Sequence, residues 1–293
     1  YGLSNGVAPP GAQRTWCQSG TSSQLRTGRP TPAPMRLIAS RENAHFKALK
    51  KLCGSGRERR KTGQVLLDGM HLIEVCVQQS IPLQELLVSE SGLLRIEIAA
   101  FLASTDTSDQ LTVLSDALFA ELATVETPSG IMAIIMKPHP VHVLNHEIDS
   151  VLLDGIQDSG NLGSILRSAA AAGFRQVLLA PDCAQPWSPK TLRAGMGAHF
   201  QLDLHEGCDL PAFLGGYRGQ AILTTLDAPA ALYSLALSGA VAWVFGSEGQ
   251  GVRAEVAEST QLRVRIPMPG ESESLNVAAA AAVCLFETVR QRM

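Results

Sequence analysis

Short apolar runs alternate with helix-spaced apolar positions along most of this 293-residue chain. Between Met35 and Lys137 the spacing predicts a helix over 41–52, where Phe46 and Leu49 lie three apart and Ala48 and Leu52 four apart, with Gly54 and Gly56 ending it. A strand at 65–67, a helix at 70–77, a strand at 85–88, a helix at 115–123 capped by Ser115 and an apolar strand at 131–136 follow. From Ile148 the alternation becomes regular: a strand at 151–153, a helix at 162–172, a strand at 176–179 and a helix opening at Ser188 with Pro189 in its first turn. Strands at 221–225 and 241–245, a short helix near 252–257, a strand at 263–266 and a helix from Asn276 to Arg290 complete the chain. The pattern predicts an α/β protein, with a small sheet domain over 35–137, a linker over 138–147 and a mostly parallel sheet over 148–293.

Residues 1–34 interrupt no pattern because they have none. They are rich in Gly, Pro, Ser and Thr, contain no acid, and read as a disordered leader or tag, with Met35 as the natural start. A transit segment is the competing reading, set back by the lack of an amphipathic helix.

Val151–Phe174 holds a strand, a polar loop and a helix in one βα unit. Asn161 reads as the N-cap, and Leu162, Ile165, Leu166, Ala169, Ala170 and Gly173 recur at the helical period to form one buried face. Arg167 falls off that stripe. Ligands of open α/β sheets bind where strand ends feed helix starts, so Asn161 and Arg167 are candidates for chemistry.

Composition narrows the class. With 45% hydrophobic residues and no run near the roughly 20 apolar residues a membrane helix needs, the chain reads as globular and cytoplasmic. Six cysteines without a CxxC pair suit free thiols in a reducing compartment. His139, His142 and His146 invite a metal reading, but no cysteine or second ligand cluster lies near them and Pro138 and Pro140 break any helix that could align them. A solvated linker and no metal is the expectation. The net charge of −3 conceals a division: residues 1–61 carry twelve Lys and Arg against two acids, the rest twelve against twenty-five. A polyanion is therefore expected to meet the front end, with Arg57, Arg59, Arg60 and Lys61 as an exposed basic loop.

Two later loops repeat the strand–loop–helix logic, Phe245–Gly251 and Ile266–Asn276. Glycines at 246, 249 and 251 allow a ligand close to the main chain, but their order is neither G-x-G-x-x-G nor a phosphate-binding P-loop. That weakens a nucleotide-dependent oxidoreductase. The succession of Asn161-Leu162-Gly163-Ser164-Ile165-Leu166-Arg167, then Phe245–Gly251, then Ile266–Asn276 running into five alanines, resembles the SpoU (TrmH) branch of the SPOUT RNA methyltransferases. Ser188-Pro189-Lys190 with Arg193 fits the segment between the motifs, and 35–137 resembles the ribosomal-protein-like RNA-binding domain often placed in front. Ser159, Met196 and Ser247 depart from residues frequent in that family.

The resemblance implies a deep trefoil knot in the C-terminal half, a homodimer, and S-adenosylmethionine held by Gly246, Ile266, Met268 and Leu275 beside the strand end at Thr225 and Leu226. It implies methyl transfer to a ribose 2′-hydroxyl of ribosomal or transfer RNA. Arg167 is then the catalytic candidate; Asn161, Ser274 and Asn276 orient the ribose or fix the cofactor loops, and Glu248 braces the second loop. A guanidinium is a reluctant base, so the expected task of Arg167 is to hold a phosphate or the developing alkoxide. A catalytically silent, knotted RNA-binding factor is the alternative.

Overall fold

The computed structural model describes residues 36–105, 110–271 and 273–293. The expected leader and Met35 lie outside the described residues.

The front half builds a five-stranded mixed sheet from β1 (Arg36–Ile38), β2 (Gln64–Asp68), β3 (Leu83–Ser89), β4 (Leu111–Leu114) and β5 (Ile131–Met136), in the order β1-β4-β3-β5-β2. Strands β1, β4 and β3 run parallel, and β5 pairs antiparallel with both β3 and β2. Helices α1 (Ala44–Gly54), α2 (Gly56–Thr62), α3 (Met70–Gln78), α4 (Ile96–Ser104) and α5 (Asp116–Leu122) connect and cover it. Helix α1 starts at Ala44 rather than 41 because the Asn43 side chain accepts from the backbone N–H groups of His45 and Phe46, at 2.9 and 3.3 Å. Its buried face is Phe46, Leu49 and Leu52. Ser115 precedes α5 without a side-chain cap; the Asp116 carboxylate instead accepts from Ser91 N–H and Oγ.

The expected exposed basic loop at 57–61 is a helix. Ser55 caps α2 by accepting from Glu58 N–H at 3.2 Å, and Gly63 ends it. Arg57, Arg60 and Lys61 are exposed, but Arg59 is only 8% exposed. It donates to the carbonyls of Leu52 and Cys53, each at 2.9 Å, and to Gln185 Oε1 at 2.6 Å. Arg59 is thus a clasp between the front sheet and the rest of the chain, not an RNA ligand, and burial lowers its pKa from the usual guanidinium value.

The second half is a seven-stranded sheet, parallel at every pairing, in the order β10-β12-β9-β11-β6-β7-β8. Its strands are β6 (Ser150–Asp154), β7 (Gln176–Leu179), β8 (Asp203–Glu206), β9 (Gln220–Thr224), β10 (Ala230–Ala231), β11 (Val241–Gly246) and β12 (Leu262–Arg265). Its helices are α6 (Ser159–Ala171), α7 (Pro189–Gly195), α8 (Leu210–Gly216), α9 (Ala254–Glu258) and α10 (Val277–Arg292). Strands β6 and β7 are buried throughout, as the continuous apolar runs of a helix-covered parallel sheet require. Helix α6 lies close on α7 because Gly163 has no side chain: a β-carbon there would stand 2.5 Å from Ala194 Cβ and 2.7 Å from the Thr191 carbonyl oxygen. Helix α10 packs on α6 and β11, where the buried Trp243 indole donates to Thr288 Oγ1 at 3.0 Å.

The linker is held rather than loose. Asp203 accepts from Val141 N–H and His142 N–H and pairs with the His142 ring, while His146 stacks on Phe213 with ring centroids 4.6 Å apart. The three histidines thus point to separate neighbours where partners are formed. Among the described residues no cluster of three or more ligating side chains could hold a metal ion, and no helix is long and apolar enough to cross a membrane. The described cysteines are free thiols, and burial pushes Cys53 and Cys183 up to about 11.

Candidate active site

All strands of the second sheet point the same way, so the loops after β6, β9, β11 and β12 leave from one edge. That edge collects the three motifs. After β6, Asp158 caps α6 by accepting from Asn161 N–H at 2.8 Å. The cap is therefore Asp158 and not Asn161, whose side chain is left for another task. It donates through Nδ2 to Glu248 Oε1 at 2.8 Å, and Glu248 belongs to the loop after β11.

Asn276, from the third motif, joins the same two residues. Its Oδ1 caps α10 by accepting from Ala278 and Ala279 N–H, while its Nδ2 donates to Glu248 Oε1 at 2.7 Å and to Asn161 Oδ1 at 2.9 Å. Capping and site assembly are performed by opposite ends of one amide. Three segments far apart in sequence thus meet on a single carboxylate oxygen. We expect Glu248→Ala to leave the Asn161 and Asn276 amides without their shared acceptor and to lower kcat by about tenfold or more, with Glu248→Gln recovering part of it because a carbonyl oxygen still accepts. Steady-state kinetics on the three proteins check this.

The second loop closes on itself: Ser247 N–H and Gly251 N–H each donate to the other's carbonyl, at 3.0 and 2.9 Å, and Ser247 Oγ accepts from Gln250 N–H at 3.2 Å. Its far end is tied by Asp154, the 1%-exposed last residue of β6, which accepts from Arg253 N–H at 2.7 Å and from its guanidinium at 2.8 Å. The Asp154 carboxylate in turn raises the Arg253 pKa. Sequence reasoning missed this pair; its signal was an acid ending a buried apolar run.

Beside the triad lies a cavity of about 660 Å³, lined by Thr225, Leu226, Gly246, Ile266, Met268, Ser274 and Leu275 among others. Asn276 and Glu248 stand on its wall. All six residues expected to hold a cofactor thus face one space, whose size suits a small-molecule ligand. Ser274 also lines it but has no hydrogen-bond partner among the described residues. A neighbouring cavity of about 610 Å³ shares the 247–252 loop and is lined by Asn161, Asp158 and Asp182. Arg167 stands further along α6, exposed, outside the lining of both cavities and without a hydrogen-bond or ion-pair partner among the described residues. Arg57, Arg60 and Lys61 lie on α2 and line neither cavity.

A glycine-bordered cavity at the carboxyl edge of a parallel sheet, with a fixed amide–carboxylate triad beside it, defines a ligand-binding α/β protein whose site lies where strand ends feed helix starts. Comparison with known proteins is specific. The family model described as SpoU rRNA Methylase family matches residues 150–286, and one described as MRM3-like substrate binding domain matches 43–133. A 23S rRNA (guanosine(2553)-2′-O)-methyltransferase of Bacillus subtilis is 32% identical over 255 residues, covering 86% of this chain and 98% of that protein. A crystal structure of an RNA 2′-O ribose methyltransferase superposes with a TM-score of 0.75 at 31% identity, over 87% of this chain and 99% of that one. The SpoU methyltransferase AviRb of Streptomyces viridochromogenes, in complex with the cofactor AdoMet, gives 0.74 at 25% identity, over 85% and 98%. This chain belongs to the SpoU rRNA methylase family.

Proposed function

We propose that the protein transfers a methyl group from S-adenosylmethionine to the 2′-hydroxyl of a guanosine in ribosomal RNA. The observation that carries the proposal is the meeting of Asn161, Glu248 and Asn276, the last two of them on the wall of the 660 Å³ cavity. The cavity has the size and the lining to suit the cofactor: Gly246, Ile266 and Leu275 border it, with Thr225, Leu226 and Met268 alongside. When bound, the cofactor supplies an electrophilic methyl group on sulfur.

The remaining work belongs to the chain. A ribose hydroxyl is a poor nucleophile at neutral pH, so the site must orient it and stabilise the charge that develops as its proton leaves. Asn161 and Asn276 fix the loop bearing Glu248, Ser274 presents a hydroxyl without a partner among the described residues, and Arg167 presents a charge to the phosphate or alkoxide. The front domain, 35–137, is the RNA-binding part, with Arg57, Arg60 and Lys61 as an exposed basic face on α2.

A deep trefoil knot and a homodimer belong to the same proposal. Supporting the dimer, Tyr233 and Phe286 of the second half stand 57% and 48% exposed, apolar surface that a second copy would cover. The bacterial relative from Bacillus subtilis supports a cytoplasmic location. The test is methylation of unmodified ribosomal and transfer RNA pools in parallel. Label confined to a ribosomal guanosine is the expected result; label confined to transfer RNA would overturn the choice of RNA.

A further inference from the structure

A cleft of about 370 Å³ lies where the two halves of the chain meet, and it shares no lining residue with the cofactor cavity. Its walls come from the end of β2 (Asp68, Gly69), from Arg95, from the loop 125–129, and from Arg193 on α7 of the methyltransferase half. Two arginines from two different sheet systems therefore face one space.

Their states differ. Arg95 is pinned to the wall: it donates to the Ser129 carbonyl at 2.7 Å and the Pro128 carbonyl at 3.4 Å, which leaves other N–H groups of its five-donor fork unused. Arg193 is exposed and has no hydrogen-bond or ion-pair partner among the described residues. The one acid in the lining, Asp68, already accepts from Thr124 Oγ1 at 3.1 Å and Thr124 N–H at 3.4 Å. The cleft thus carries an excess positive charge and free donors with no acceptor of their own.

The cleft is also preformed. The Arg59–Gln185 bond clasps the two halves, and Gly197 packs so near Val75 that a β-carbon would stand 2.9 Å from Val75 Cγ1. Binding here needs little rearrangement, which favours affinity. We propose that this cleft is a phosphodiester subsite for the RNA, in which Arg95 and Arg193 hold one backbone phosphate from opposite sides and so set the register of the strand running from the front domain to the active site. Arginine forks suit that task, and phosphate contacts fix register without reading sequence. The inference rests on the reading of RNA as substrate.

The test is binding of an unmodified ribosomal RNA fragment to the full chain, measured by fluorescence anisotropy across a salt series. Arg193→Ala is expected to weaken binding by about three- to tenfold and to reduce the salt slope by about one, with the affinity for S-adenosylmethionine unchanged. Arg193→Lys should keep the slope while losing part of the affinity. Because both arginines share one phosphate, Arg95→Ala combined with Arg193→Ala should reduce the slope by about one and not two. Retention of wild-type affinity and slope by Arg193→Ala would overturn the subsite alone; failure of the wild-type chain to bind RNA would overturn the RNA reading with it. A slope reduced by two in the double variant would assign the arginines to separate phosphates and reject the shared site.

Discussion

Replacing Arg167 by Ala is expected to lower kcat by at least about a hundredfold while leaving thermal stability and S-adenosylmethionine affinity unchanged. The side chain has nothing to hold up: it is exposed on α6, off the apolar face formed by Leu162, Ile165, Leu166 and Ala169, and no described residue pairs with it. It stands six residues beyond Asn161, about 9 Å along the helix axis, outside the lining of the cofactor cavity but on the same helix that carries Asn161. Under the proposed function, a charge in that position would act on the RNA, binding the phosphate beside the target ribose or the oxygen that becomes negative. Lysine at 167 should restore only part of the rate, because a point charge lacks the planar fork. Calorimetric cofactor binding and single-turnover rates decide the matter. Loss of fold or of cofactor binding in the Ala variant would make Arg167 structural.

Gly246→Ala is expected to weaken S-adenosylmethionine binding by about tenfold or more with a smaller loss of stability, about 1–3 kcal/mol. A β-carbon at 246 would stand 2.3 Å from the Gly251 carbonyl carbon and 2.4 Å from Val252 N. These are backbone atoms of the self-closed second loop, so no side-chain rotation can relieve the clash. The loop must open, and opening it moves Glu248 away from Asn161 and Asn276 and reshapes the cavity wall. The readout is the dissociation constant for the cofactor with the melting temperature beside it. An unchanged constant would show that the loop's closed form is not what the cofactor recognises.

Much of this site could be read from residue order, and what could not has physical causes. Asn161 stands out by its place between a strand end and a helix start, Glu248 and Asn276 through the family resemblance, and the structure joins all three through one carboxylate oxygen. The sequence could not show that Asp158, three residues earlier, takes the cap and releases the Asn161 side chain, because Asp and Asn are equally good caps. Arg59 was misread for a different reason: a charge run reports sign and not burial. Once Ser55 nucleates a helix there, one of the four cations turns inward onto the carbonyls at the end of α1. Strand β8 and helix α8 escaped notice because Asp203-Leu204-His205-Glu206 has one buried apolar side chain and the seven-residue α8 spans only two turns. The fully buried central strands β6 and β7, by contrast, announce themselves as apolar runs.

The most direct test of the account is where the methyl group goes. The purified protein is incubated with labelled S-adenosylmethionine and unmodified ribosomal RNA, and the product is digested with alkali. A 2′-O-methyl group removes the hydroxyl that alkaline cleavage requires, so the account predicts label in an alkali-resistant dinucleotide containing guanosine, lost in Arg167→Ala. Label released on an ordinary mononucleotide, with the methyl on the base, would contradict it.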